Sequence, residues 1–241
     1  MRKKEKLLSF LLCLVLLTGI AVLPAGAAYS DADQIVHTQA VDTLTELGIL
    51  NGKEDGSYFE PDSTLTRAEF CKMLVLILNG GKEPELPSEE SYSLSDIQDH
   101  WAAAYIAYCW NLGLVAGGGD GTFDPDGTVT GSQAAKMLLC AIGYDSANEG
   151  FTGETWAIAV NVRANQRDFY ENLENLEPRE SITRDDAAQL VYNAMNAVMV
   201  TYDYKLAQTA GGELVEVPVL KELGDGQTLL SNYFQITTES P

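Results

Sequence analysis

A chain of 241 residues with 15 Lys+Arg against 35 Asp+Glu carries a net charge of −20 at pH 7. Such a chain repels phosphate backbones instead of displacing their counterions, which excludes nucleic acid as a partner. Cys71, Cys109 and Cys140 lie in apolar helical patterns with neither the even spacing of a disulfide framework nor the spacing of a zinc site, so buried free thiols are expected. No nucleophile–base pair or metal-ligand cluster stands out either, so no enzyme, metal or cofactor is expected.

Residues 1–6 are basic, 7–23 are apolar, and Pro24-Ala25-Gly26-Ala27-Ala28 offers small residues for cleavage. This pattern predicts a secretory signal peptide over 1–28, with no membrane contact once it is removed. The segment holds four basic and one acidic side chain, which leaves 11 Lys+Arg against 34 Asp+Glu, a net of −23. An anionic ligand must then be held by a few local cations against the mean field.

From residue 29 the chain repeats itself. Tyr29-Ser30-Asp31 aligns with Leu94-Ser95-Asp96, and Leu47-Gly48-Ile49-Leu50-Asn51-Gly52 with Leu112-Gly113-Leu114-Val115-Ala116-Gly117. Asp55-Gly56-Ser57 aligns with Asp120-Gly121-Thr122, Pro61-Asp62 with Pro125-Asp126, and residues 66–74 with 130–138. A third copy shows mainly at its end, where Ser181-Ile182-Thr183-Arg184-Asp185-Asp186 matches Thr64-Leu65-Thr66-Arg67-Ala68-Glu69, and Trp156-Ala157 stands in the place of Trp101-Ala102. The repeats predicted are 29–82, 93–145 and 146–201, with a Pro- and Glu-containing linker at 83–92.

Each unit reads helix, loop, helix. First helices are expected over 35–47, 101–112 and 154–166, with Gly48 and Gly113 as left-handed stops for the first two. Second helices are expected to start at Thr66, Thr130 and Thr183. Thr66 with Glu69, and Thr130 with Gln133, form capping boxes, and Leu65 and Phe70 can staple the first of them. Their apolar stripes follow i, i+3, i+4, i+7, i+8: Phe70, Met73, Leu74, Ile77, Leu78 in the first, and equivalent rows from Ala134 and Ala187. The predicted fold is all-α: three helix-loop-helix repeats in a pseudo-threefold arrangement around a central three-helix bundle. Residues 202–241 turn to weak strand and turn material, expected as a tail or the opening of a cargo region.

Arg67 breaks the stability logic of its helix start. It takes the first helical position, where the macrodipole disfavours a cation. A charge placed there is expected to serve something outside the helix, and replacing it is expected to leave thermal stability unchanged.

The residues His100-Trp101-Ala102, Ile106, Gly113-Leu114-Val115-Ala116-Gly117, Asp120-Gly121-Thr122-Phe123-Asp124-Pro125 and Leu65-Thr66-Arg67-Ala68-Glu69-Phe70 resemble S-layer homology modules. The resemblance covers about residues 29–201. It implies a non-enzymatic anchor that tethers an exported protein to a secondary cell-wall polysaccharide, often pyruvylated, in grooves between modules. It also implies that the Arg of the Thr-Arg-Ala-Glu stretch faces the ligand. A carboxylate on such a polymer suits an Arg fork, with helix N-terminal amides as further donors. Arg67 and Arg184 are the first candidates for that contact, and Trp101 is the candidate for stacking on a sugar, or else a core residue. Glu69 closes the capping box or touches ligand. Asp31 and Asp96 cap the first helices or accept sugar hydroxyls.

The chain departs from the family pattern at three points. Gly131 replaces the Arg in copy two, Val36 replaces the Trp in copy one, and copy three has Asp168-Phe169-Tyr170-Glu171-Asn172-Leu173-Glu174 in place of the Gly-rich turn. The rival expectation is a surface-layer or protein-interaction module, self-associating at the cell surface, that binds no wall polymer.

Overall fold

The computed structural model describes residues 29–53, 55–86, 92–224 and 226–236. The expected signal peptide, residues 87–91 of the expected linker and residues 237–241 lie outside them. The described chain contains seven α-helices and one two-stranded antiparallel sheet. After a 3-10 turn at Ala32–Gln34 come α1 (Thr38–Glu46), α2 (Arg67–Leu78), α3 (Ala103–Asn111), α4 (Gly131–Ala141), α5 (Trp156–Gln166) and α6 (Arg184–Asn196). The strands β1 (Val200–Gln208) and β2 (Leu214–Glu222) and a short α7 (Leu229–Phe234) complete the chain.

The second helices start where local chemistry places them. The Thr66 and Thr130 hydroxyls accept from the backbone N–H groups of Glu69 and Gln133, whose side chains accept in return from the amides of Thr66 and Thr130. Thr183 accepts from the Asp186 amide. Asp186 is one carbon shorter than Glu and instead meets His37 Nε2 at 3.3 Å. Leu65 and Phe70 are both buried, as the staple requires. The first helices stop at Gly48 (φ 74°) and Gly113 (φ 70°). Asp168 (φ 57°) takes the same left-handed position in copy three, where the sequence carries no glycine.

The helices do not pair within their own repeats. α2 packs on α3, α4 on α5, and α6 returns to α1. The helix starts make the same circuit. Arg67 N and Ala68 N donate to Gly127 O (2.9 Å) and Pro125 O (3.0 Å), and Gly131 N and Ser132 N to Glu180 O (3.1 Å) and Pro178 O (2.6 Å). Arg184 N and Asp185 N donate to Ser63 O (2.8 Å) and Pro61 O (3.1 Å). First-turn amides have no partner inside their own helix, and here the turn of another repeat supplies one. Isolated bridges Thr66–Thr128, Thr130–Ser181 and Thr64–Thr183 seal the same three seams.

Two expectations are corrected. The first helix of repeat 1 begins at Thr38, not at residue 35, because the Asp185 carboxylate of repeat 3 takes the amides of Val36 (2.8 Å) and His37 (3.2 Å) and holds them outside the helix. The fold is mostly helical but not all-α, since residues beyond 199 form a hairpin and a helix docked on the body. Val200 N donates to Ile142 O (2.8 Å), Met199 N to Gln227 O (2.8 Å), and Leu229 and Leu230 are buried beside α6 and α2. The alternation in β1 and β2 was weak because most of the hairpin stands clear of the core.

Candidate functional site

Arg67 leaves the first turn of α2 and crosses to repeat 2. Its Nε donates to Phe123 O (2.9 Å) and Nη2 to Ala116 O (3.0 Å), with the guanidinium carbon 4.2 Å from the centre of the Phe123 ring. Arg184 does the same toward repeat 1. Its Nε donates to Phe59 O (2.7 Å), Nη2 to Asn51 O (3.0 Å), and the guanidinium lies 4.8 Å over Phe59. Asn51 and Ala116, and Phe59 and Phe123, are aligned pairs in the repeat. Both arginines are buried, 8% and 5% exposed. Burial lowers both guanidinium pKa values, with Asp124 and Asp96 opposing it at Arg67 and Glu69, Glu60 and Asp31 opposing it at Arg184. A guanidinium has five N–H groups, and each arginine commits two here. Its Nη1 makes no hydrogen bond among the described residues and is not sealed from solvent.

Each arginine lines a groove. The larger, about 590 Å³, runs past Arg67, the turn Leu114–Gly119, Gln133, Lys136 and Trp156. The smaller, about 230 Å³, runs past Arg184, the turn Ile49–Lys53, Glu69, Lys72 and Trp101. Their linings correspond position by position: Arg67 with Arg184, Gln133 with Glu69, Lys136 with Lys72, Trp156 with Trp101. Each groove draws its arginine, its turn and its tryptophan from three different repeats. The turn itself needs glycine for close approach, since a Cβ on Gly117 would lie 2.2 Å from Thr122 O.

Trp101 is 58% exposed and tilts against His100 and Tyr105, so it is not a core residue. Trp156, half-buried, carries Lys136 Nζ 5.4 Å over its ring. Burial lowers the Lys136 pKa and Arg67 lowers it further, although a nearby Cys140 acts the other way. Neither cation pairs with a carboxylate among the described residues. Lys72 is tied to Glu83 at 2.6 Å, which leaves the smaller groove less positive.

Glu69 stands in the smaller groove and closes its capping box through Oε2, while Oε1 accepts from Lys53 Nζ at 2.6 Å. Burial raises its pKa, but Lys53 and the Thr66 amide outweigh that and the net shift is downward. Asp31 and Asp96 cap neither first helix. Asp31 accepts from the amides of Phe59 (2.8 Å) and Glu60 (2.7 Å), and Asp96 from those of Phe123 (2.9 Å) and Asp124 (2.7 Å). Glu60 and Asp124 sit at φ 58° and 59°. The two aspartates thus hold the strained turn whose aromatic ring lies under the arginine. The helix N-terminal amides expected as ligand donors are already taken by turn carbonyls.

The three departures in the sequence meet at one place. At the third seam Gly131 replaces the arginine, with Pro178 Cα and a Leu176 methyl within 3.5 Å of where its Cβ would be. Gln189 stands at the lysine position and donates to Asn193 (2.7 Å), and Val36 stands at the tryptophan position. Asn193 Nδ2 donates to Glu171 O (2.8 Å). Glu171 is the structural counterpart of Asn51 and Ala116, so an amide here takes the carbonyl that an arginine takes elsewhere.

The sequence reading missed Lys72, Lys136 and the role of Trp156. The signal for the lysines was present: in the alignment of residues 66–74 with 130–138 they coincide, one turn beyond Glu69 and Gln133 of the capping boxes.

The S-layer homology domain family matches residues 28–71 and 93–135. A "Cell surface protein" of Thermoanaerobacter kivui is 29% identical over 70% of this chain and 21% of its own length. A "Middle cell wall protein" of Brevibacillus brevis is 26% identical over 86% of the chain and 18% of its own. A "Cellulosome-anchoring protein" of Acetivibrio thermocellus is 30% identical over 41% of the chain and 22% of its own. The chain thus spans about a fifth of the length of these relatives. With these matches it is a secreted bacterial protein of the cell surface or cell wall.

Proposed function

We propose that this chain is a non-covalent anchor that binds an anionic, pyruvylated secondary cell-wall polysaccharide in two grooves between three helix-loop-helix modules. The modules occupy residues 29–82, 93–145 and 146–201 and are related by a pseudo-threefold axis; the cyclic pattern of the seams supports that reading. The observation that carries the proposal is the paired composition of the grooves. Each sets an arginine with free N–H groups beside a lysine and a tryptophan, in a chain of strong negative charge. A guanidinium held over an aromatic ring and tied to two carbonyls is pre-oriented to take a carboxylate through two parallel hydrogen bonds. The indole offers an apolar face for a sugar ring. Phosphate or carboxylate groups further along the polymer would meet Lys136 or Lys72. The third seam, with its arginine, lysine and tryptophan all replaced, is a packing contact and takes no ligand.

The test is sedimentation of the purified protein with isolated cell-wall sacculi. It should co-sediment with native sacculi and stay in solution after acid extraction removes the non-peptidoglycan polymer. Binding that persists on stripped peptidoglycan, or that never occurs, overturns the anchor reading.

A further inference from the structure

The hairpin β1–β2 pairs nine residues of each strand; its base is docked on the body through Val200 and the Tyr202 hydroxyl, which donates to Glu149 Oε1 (2.8 Å), and the end toward the turn projects into solvent. Thr209 N donates to Glu213 O (2.8 Å) at the turn, and Leu223 N to Met199 O (2.8 Å) at the base. Antiparallel ladders alternate, so these two bonds fix the parity of the whole ribbon. Odd-numbered residues of β1 bond to β2. Tyr202, Tyr204, Leu206 and Gln208 turn their N–H and C=O groups outward, and among the described residues those backbone groups have no partner. The same parity turns the nitrogen of Pro218 outward on β2, so that edge lacks a donor at its centre, a common way to blunt an edge. Only β1 keeps an unbroken edge.

We propose that the outer edge of β1 pairs antiparallel with the same edge of a second copy of this chain, about a twofold axis at Tyr204, to give a four-stranded sheet. The sequence of the edge is self-complementary in that register. Tyr204 faces Tyr204 of the copy as a hydrogen-bonded pair, and Tyr202 faces Leu206. On the other face Asp203 meets Lys205, twice, as a close non-hydrogen-bonded pair where opposite charges count most. The isologous contact closes and does not propagate. Tyr204 and Leu206 are 63% and 68% exposed, and the copy's matching residues would extend their apolar face. Among the described residues the only ion pair these charges make is a loose one, Lys221 Nζ to Asp203 at 3.7 Å, between two exposed side chains. An isolated two-stranded ribbon is marginal in water, and four strands remedy that. The inference does not rest on the polysaccharide reading.

The experiment is analytical ultracentrifugation of the secreted protein without polymer. The native chain should show a monomer–dimer equilibrium with dissociation below ~100 μM, the range of a small interface. Asp203→Lys and Lys205→Asp each place like charges across the axis and should weaken the dimer at least tenfold. An equimolar mixture of the two variants restores opposite charges at both positions and should dimerise again. Leu206→Pro, which removes an outward N–H and leaves the hairpin's own ladder intact, should also be monomeric, with an unchanged circular dichroism spectrum. A native chain that stays monomeric, single variants that dimerise like the native chain, or a mixture that fails to associate would each overturn the proposal.

Discussion

Replacing Arg67 with alanine tests whether the grooves are tied shut by the same residues that are proposed to read the ligand. The substitution deletes two hydrogen bonds from a charged donor to the carbonyls of Phe123 and Ala116. Bonds of this kind contribute about 1.5–3 kcal/mol each. It also deletes a guanidinium–ring contact at 4.2 Å, worth about 0.5–2 kcal/mol. Two effects oppose the loss. The unfavourable cation at the helix start disappears, which returns a few tenths to about 1 kcal/mol, and the cost of burying a guanidinium is no longer incurred. The balance is a destabilisation of about 3 kcal/mol, or a fall in melting temperature of about 6–12 °C for a chain of this size. Differential scanning calorimetry reads it directly. Arg67→Lys should fall between the two, because one ammonium cannot reach both carbonyls and also lie over the Phe123 ring. A melting temperature for Arg67→Ala within about 1 °C of the native value would refute the structural role and return this arginine to the ligand alone.

Lys136→Met keeps the stem that packs beside Trp156 and removes only the charge; extracted wall polymer should bind about tenfold more weakly, about 1.4 kcal/mol, with the melting temperature unchanged, as titration calorimetry would show. Gly131→Arg should not rebuild a third site. Its Cβ would lie 3.1 Å from Pro178 Cα, so overpacking should cost about 1–3 kcal/mol in denaturant unfolding with no gain in polymer bound per chain. For Asp31, burial raises the carboxyl pKa, but the amides of Phe59 and Glu60 and the Arg184 charge outweigh it, and the net shift is downward. A carboxylate depressed on folding stabilises above its unfolded value near 3.9 and loses that contribution as pH falls through the lower folded value. Stability measured in urea should therefore drop on the acid side, and Asp31→Asn should flatten that limb while lowering stability at neutral pH.

The parts legible in the sequence are those governed by neighbours a few residues apart. Thr66 and Thr130 announced their helix starts because a capping box spans only three residues. Gly48 announced a stop because few other residues accept its φ. The grooves were not legible in the same way. Arg67, Lys136 and Trp156 belong to three repeats, and nothing local says which repeat's arginine reaches which turn. Without that circuit, Gly131, Val36 and the missing turn of copy three looked like independent losses scattered over the chain. In three dimensions they are the same loss, at one seam. The capping expected of Asp31 and Asp96 fails for a related reason. Their position ahead of a helix fits a cap, whereas their partners lie 28 and 27 residues away in the chain. The docking of residues after 199 was hidden because it rests on a few contacts, Val200 with Ile142 and Leu229 with the core, and not on a pattern.

The bond from Arg184 to the turn of repeat 1 joins residues 125 and 133 positions apart. A chain leaving the ribosome and crossing a membrane amino end first presents repeat 1 long before residue 184 exists outside. Until then the carbonyls of Asn51 and Phe59 have no guanidinium, and the smaller groove has no cation from repeat 3. Such a distant closure is a late event in folding, because its loop entropy must be met before the contact repays it. Chains clipped before α6 still carry the residues of the larger groove, from Arg67 to Trp156, but lack the cation of the smaller one, so the two grooves are completed at different points along the chain.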